Sequence, residues 1–316
     1  MTVINNWLET KEIIMEQTRQ QNMFRREYFG KSIATICGFS LIVLTLAIGC
    51  FLLAKGMLTF TQFDHSIGEF LFSSAWKPSD TEEGGGQVGA AIFIVGSLLT
   101  CALALLIAVP FSLCTAIFMT KISPSIGEKI IRPAVEIFVG IPSVVYGWVG
   151  LVVLVPLIKD VFHVPHGQSV LAAGIVLAVM IYPTITSVSA DAIRSVNNKY
   201  IEGAYGLGST RWQMLYKVLL PAASTGILTA IVLGLARAFG EALAVSMVIG
   251  KMRAFPTSIL DPTNNLTAAI ASDMGGAMDG GEFNAALWSM ALLLFIISLV
   301  FILVIHALSG RKGDLA

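Results

Sequence analysis

Three ionisable residues stand in or beside apolar stretches and are the first candidates for chemistry. Arg237 and Glu241 lie within Gly234-Leu235-Ala236-Arg237-Ala238-Phe239-Gly240-Glu241-Ala242, and Glu136 precedes Gly140-Ile141-Pro142-Ser143-Val144-Val145-Tyr146-Gly147. A charge at bilayer depth costs at least about 2.5–3.5 kcal/mol on insertion scales, so such a residue faces a protein interior or a water-filled path. Four residues apart on one helix, Arg237 and Glu241 share a face and can pair. The guanidinium forks onto two oxygens and stays charged at physiological pH, which suits a tetrahedral oxyanion. Glu241 would neutralise it in the absence of substrate and could accept a hydrogen bond from an anion that still holds a proton. Phosphate keeps a proton near neutral pH; sulfate does not. The same two residues also make sense as a structural ion pair that fixes helix packing. Pro142 removes a helix donor and bends its run, so that Ser143, Tyr146 and freed backbone groups could line a cavity. Glu136 belongs either to that path or to a pair with Arg132.

The elements that must position these residues are membrane helices. Of 316 residues, 55% are hydrophobic and 13% charged, more apolar material than one globular core can hide. The expected class is an all-α polytopic membrane protein with six transmembrane helices, near Ser32–Leu53, Val88–Met119, Ala134–Ile158, Val170–Ala190, Ala223–Ile249 and Ala285–Leu308. The polar segments between them set the topology. One alternate set holds fourteen Lys and Arg, from Lys11 through Lys121, Arg194 and Arg211 to Lys312, and the other holds five, Lys55, Lys77, Lys159, Lys251 and Arg253. The positive-inside rule then places both termini in the cytoplasm.

Residues 1–31 interleave Trp7, Leu8, Ile13, Ile14, Phe24 and Phe29 with charges and read as a cytoplasmic amphipathic segment or a solvated tail. Residues 32–87 comprise the first helix and an acidic extracytoplasmic loop, with Gly84-Gly85-Gly86 as a hinge into the second span. Residues 88–310 form the longer continuous block, and 311–316 a short tail. A net charge of zero argues against nucleic-acid binding. Cys37, Cys50, Cys101 and Cys114 fall singly in apolar runs, with no metal-like spacing. No HExxH, GxSxG or His cluster beside a carboxylate marks a catalytic centre, and His163 and His166 read as surface residues.

The segment 191–221 is too patterned for a linker. Ala192, Ile193, Val196, Tyr200, Ile201, Ala204 and Tyr205 recur at helical spacing, Gly206 and Gly208 interrupt, and Ser209 or Thr210 can cap a second helix that stops near Pro221. Within it, Glu202-Gly203-Ala204-Tyr205-Gly206-Leu207-Gly208, followed after nine residues by Val218-Leu219-Leu220-Pro221, resembles the EAA loop of ABC-importer permeases. Their pattern is Glu-Ala-Ala, three residues, Gly, nine residues, Ile, any residue, Leu-Pro. Glu202, Ala204, Gly208, Leu220 and Pro221 match in register; Gly203 and Val218 are small departures. Taken with the Glu136–Gly147 run and the Arg237–Glu241 block, the chain from about Val88 onward resembles the PstC-type permeases of Pst phosphate importers. A PstA-type chain is expected to carry a proline soon after the glutamate, where Ala242-Leu243-Ala244-Val245 stands here.

That resemblance implies the type I importer (MetI-like) fold, with the EAA loop as a coupling helix seated in a cleft on an ATPase. It implies a PstA-like partner permease, a PstB-like ATPase dimer that binds ATP and Mg, and a PstS-like extracytoplasmic phosphate-binding protein, with no cofactor in this chain. ATP hydrolysis is assigned to the partner, since no GxxxxGK[ST] loop is present; at Gly30-Lys31-Ser32, Arg25 stands where the first glycine belongs. The rivals are a permease for sulfate or molybdate, and a channel or secondary transporter using Arg237, Glu241 and Glu136 as a gate or proton relay.

Overall fold

The computed structural model describes residues 30–81 and 83–313, with side chains as far as residue 303. The amphipathic segment expected over residues 1–31 lies outside the described residues apart from its last two, as do residues 314–316 of the tail. Among the described residues, six helices are long and apolar enough to cross a membrane, as expected. Spans one to six are Gly30–Thr61, Ala91–Ile122, Ser143–Phe162, Val170–Arg194, Arg211–Gly240 and Glu282–Leu303. The chain forms two compact units, one ending at Leu53 and the other beginning at Ala54. The described part of the first is a single apolar helix whose side chains, Phe39, Leu41 and Leu44 among them, are exposed.

In the second unit span four is the most buried of the six. Its small residues Ala172, Ala173, Gly174 and Ala178 let neighbouring helices close in, the usual way membrane helices gain contact where water supplies no driving force. A Cβ on Gly174 would lie 2.7 Å from Leu103 of span two, and one on Gly234 of span five 2.6 Å from Ile185 of span four. Cys101, Ala104, Leu177, Ile181, Ala230 and Phe239 belong to the resulting apolar cluster.

Three boundaries depart from the sequence expectation. The third run does not bend at Pro142 but breaks: a helix Arg132–Gly140 ends, Ile141 and Pro142 are extended with ψ of 127° and 140°, and a new helix starts at Ser143. The proline ring disfavours helical geometry in the residue before it, and Ile141 complies. Span five ends at Gly240 rather than Ile249; Glu241 is extended (φ −78°, ψ 119°) and a short helix, Leu243–Val248, follows. The second helix of segment 191–221 does not stop near Pro221, since Arg211 to Gly240 is one helical run. A π turn at Leu215–Leu219 immediately precedes the helix in which Pro221 occupies the first turn. Its wider turn absorbs the missing N–H and the bulk of the ring, which would break a regular α-helix.

At the opposite end of the bundle the segment before span two is built rather than slack. A helix Ile67–Phe72 and a two-residue hairpin, Trp76–Lys77 paired with Gln87–Val88, pack Phe70, Trp76 and Val88 against Phe93, Leu287 and Met290. The Gly84–Gly86 run is not a hinge. It wraps the carboxylate of Glu282, a fully buried residue that accepts backbone hydrogen bonds from Ser79 (2.6 Å), Gly85 (3.1 Å) and Gly86 (2.9 Å). Gly84 and Gly85 take φ of 72° and 91°, values that L side chains rarely adopt.

Candidate functional site

Arg237 sits in the last turn of span five, half-buried, and donates from Nη1 to Oγ1 of Thr184 in span four at 3.0 Å. Spans four and five thus meet at one guanidinium. The ion pair expected between Arg237 and Glu241 does not form, because the chain leaves the helix at Gly240 and the two residues no longer share a helical face. Glu241 Oε1 instead accepts from the backbone N–H of Ala244 at 3.0 Å, satisfying a free donor at the start of the short helix. The Glu241 carbonyl accepts from Thr267 Oγ1 at 2.8 Å, on a helix Leu266–Asp273 that Asn265 caps. The short helix lies against the start of span three, where a Cβ on Gly147 would stand 2.7 Å from Ala244 Cα.

Tyr146 closes the break in front of span three. Its hydroxyl donates to the Phe138 carbonyl at 2.8 Å, an oxygen that also accepts the Ile141 N–H at the end of the preceding helix. Ser143, half-buried at the first turn of span three, makes no side-chain hydrogen bond among the described residues. Among the described residues, Arg237 therefore has one hydroxyl partner, no carboxylate partner and donors to spare.

Glu136 takes the second of its two readings. It accepts from Arg132 Nε at 3.1 Å, Arg132 Nη1 reaches Glu128 at 3.2 Å, Glu128 also pairs with Arg194, and Arg194 Nη1 meets Asp191 at 3.1 Å. This alternating chain ties the helix before the proline break to the end of span four. Glu136, and then Glu128, hold the Arg132 guanidinium above even its ordinary high pKa.

The EAA-like segment folds as a hairpin beside that chain. Glu202 and Gly203 are exposed on the helix Asn198–Gly206, while Ala204 is buried with Met214, Leu215 and Leu219. Gly208 has φ of 76° and turns the chain. Ser209 donates to the Ala204 carbonyl through Oγ (2.7 Å) and N (3.1 Å), and Thr210 forms a reciprocal capping box with Gln213. Arg211 Nη2 reaches the Lys121 carbonyl at the end of span two at 2.7 Å. Leu220 and Pro221 then lead into span five. Tyr200, Tyr205, Leu207, Trp212 and Tyr216 of this segment are exposed.

Sequence reasoning missed Thr184, Thr267 and the Glu128–Arg194–Asp191 part of the ion chain. A cue for Thr184 was present, since the pair Pro183-Thr184 puts a helix breaker and a hydroxyl together in an otherwise apolar run. Asp191 and Arg194 stand three apart on one helix, a spacing that could have shown their pair, whereas Thr267 and the Glu128–Arg194 contact come together only through tertiary structure.

A family model described as the binding-protein-dependent transport system inner membrane component matches residues 108–313. The chain is 47% identical over 293 residues to the probable ABC transporter permease protein YqgH of Bacillus subtilis, covering 93% of this chain and 94% of that one. It is 37% identical to the phosphate transport system permease protein PstC of Haemophilus influenzae, covering 73% and 77% of the two chains. The corresponding Pasteurella multocida PstC is 38% identical, covering 80% and 85%. Among solved structures, a bacterial alginate ABC transporter in complex with its pentasaccharide-bound periplasmic protein superposes with a TM-score of 0.60 at 18% identity, covering 90% of this chain and 93% of that one. An inward-facing MetNI methionine transporter reaches 0.51 at 19% identity, covering 68% and 95%. These two likenesses show the fold. The chain belongs to the family of binding-protein-dependent transport system inner membrane components, and is a multi-pass inner-membrane permease subunit of an ABC importer.

Proposed function

We propose that this permease carries inorganic phosphate, with Arg237 as the principal anion contact. The observation that supports the reading most is the guanidinium of Arg237, held by a neutral hydroxyl and free of any carboxylate partner among the described residues. The PstC relatives point to the same substrate. Ser143, Tyr146 and Glu241 border the region through which the anion passes, and Glu241 meets the protonated oxygen once its helix-capping bond opens. Glu136 acts at a distance, through the ion chain that fixes the helix before span three.

The complex would contain a PstA-like permease supplying the other half of the path, two PstB-like ATPases that bind ATP and Mg, and a PstS-like extracytoplasmic binding protein. Both termini lie in the cytoplasm on this reading. The hairpin around Glu202–Gly208 docks on the ATPase, and its rigid continuation through Leu220 and Pro221 into span five carries ATPase closure toward Arg237. The deciding experiment is uptake of labelled phosphate into proteoliposomes holding the whole complex, with sulfate and molybdate as competitors. Phosphate uptake indifferent to a large excess of either supports the assignment; strong competition by either would overturn it.

A further inference from the structure

We infer that Thr184 is a component of the anion site: it fixes the guanidinium of Arg237 by accepting its Nη1 hydrogen, and gives its own hydroxyl hydrogen to the bound oxyanion. Threonines inside membrane helices commonly return that hydrogen to the carbonyl one turn back. Thr100, Thr115, Thr120, Thr186 and Thr229 all do so here, onto Gly96, Phe111, Ala116, Tyr182 and Thr225. Thr184 does not. Its Oγ1 accepts from Arg237 at 3.0 Å, and among the described residues its own hydrogen has no acceptor. A hydroxyl has one hydrogen to give and lone pairs to receive, so accepting from arginine leaves the donor free beside the positive charge. An oxyanion on the remaining guanidinium donors is the group that would use it.

The position is held rigidly. Thr184 follows buried Pro183 and precedes buried Ile185, and Ile185 is the residue on which Gly234 packs most closely. Gly234 lies one helical turn before Arg237, so a close approach of spans four and five falls beside the Thr184–Arg237 contact. Preorganised donors of this kind need no rearrangement when the anion arrives.

The inference rests on Arg237 being the anion contact, so the test varies both residues in the intact reconstituted complex. Thr184→Val keeps the shape and removes the hydroxyl, Thr184→Ser keeps the hydroxyl, and Thr184→Ala guards against a packing defect peculiar to valine. Thr184→Val and Thr184→Ala should raise KM for phosphate uptake about 10- to 100-fold, the cost of losing one hydrogen bond to a charged group. Assembly with the partner subunits should stay unchanged. Thr184→Ser should remain within about 3-fold of the parent, as expected when the donor is kept. Arg237→Gln, measured in parallel, should abolish uptake. Normal uptake by Arg237→Gln would remove the underlying reading. Loss of uptake in Arg237→Gln with an unchanged KM in Thr184→Val or Thr184→Ala would overturn the inference alone, as would a Thr184→Ser variant as defective as Thr184→Val.

Discussion

Nε2 of His65 lies 2.6 Å from Oε1 of Glu282, joining the loop before span two to the first residue of span six across more than two hundred residues of chain. Glu282 is fully buried, and its carboxylate also receives the N–H groups of Ser79, Gly85 and Gly86. The three backbone groups are donors, and His65 adds a fourth with its proton on Nε2, a set matched to an ionised acid. Glu282→Gln would turn an amide NH2 against these N–H groups. It should cost about 2–4 kcal/mol of stability, the range for leaving buried charged-group hydrogen bonds unmade, read as a lower denaturation midpoint in detergent. An unchanged midpoint would show that the carboxylate is dispensable.

The glycines around that carboxylate are not equivalent. A Cβ at Gly86 would overlap Glu282 Oε2 and the Ser79 nitrogen and stand 2.6 Å from the Lys77 carbonyl oxygen, most of it backbone that cannot move aside. Gly85 has open space but a φ of 91°. Gly85→Ala should therefore cost only the conformational strain, about 1–2 kcal/mol. Gly86→Ala should cost more and should also expose segment 76–88 to added protease. Equal effects of the two substitutions would sink this account.

What could be read from the residues, and what could not, divides along physical lines. Six spans were legible because twenty apolar residues in a row have few other fates. A helix cap at Ser209 or Thr210 and an interruption at Gly206 and Gly208 were legible because caps and turns are local chemistry; the structure puts the cap on Thr210 and the turn on Gly208. The Arg237–Glu241 pair was misread, since helical spacing applies only while the helix lasts, and it ends at Gly240. Nothing in the residue types around Gly240 forbids another turn; the Thr267 hydroxyl on the Glu241 carbonyl, a tertiary contact, holds the break open. The Gly84–Gly86 run was misread for the same reason. Three glycines signal freedom until a buried carboxylate from a distant helix gives them a task.

Asp261 provides a pH-dependent feature at the N-terminus of span four. Its Oδ2 accepts from the Thr257 hydroxyl (2.6 Å) and from the N–H groups of Thr257 and Ser258 (both 2.8 Å), and these bonds, the hydroxyl first, hold its pKa below the usual carboxylate range. The loop so shaped lends the carbonyls of Asp261 and Ile259 to the N–H groups of Val170 and Leu171. A folded-state pKa depressed below the unfolded value of about 3.9 stabilises fully above that pH and loses its effect as pH falls through the folded value. Hydrogen-exchange protection at Val170 and Leu171 should accordingly be lower in Asp261→Asn than in the parent at pH 7. The difference should close as the parent is acidified below about pH 4. A difference that does not vary with pH would exclude the carboxylate as its source.

Leu207 separates docking from folding. It is 91% exposed, at the tip of the hairpin between Gly206 and Gly208, and contributes almost nothing to the interior of its own chain. Surface substitutions of that kind shift stability by no more than about 0.5 kcal/mol, so Leu207→Asp should leave the denaturation midpoint of the isolated subunit where it was. An ATPase cleft that buries the leucine gains roughly 1.5–3 kcal/mol from it and would have to bury a carboxylate instead. Co-purification of the ATPase should then fall by at least about tenfold, since each 1.4 kcal/mol is a factor of ten. Leu207→Met, which keeps the apolar bulk, should retain the partner. If Leu207→Asp retains the ATPase and supports coupled hydrolysis at the parental rate, the hairpin tip lies outside the docking surface. If Leu207→Asp lowers the midpoint as much as it lowers co-purification, the loss comes from folding and not from the interface.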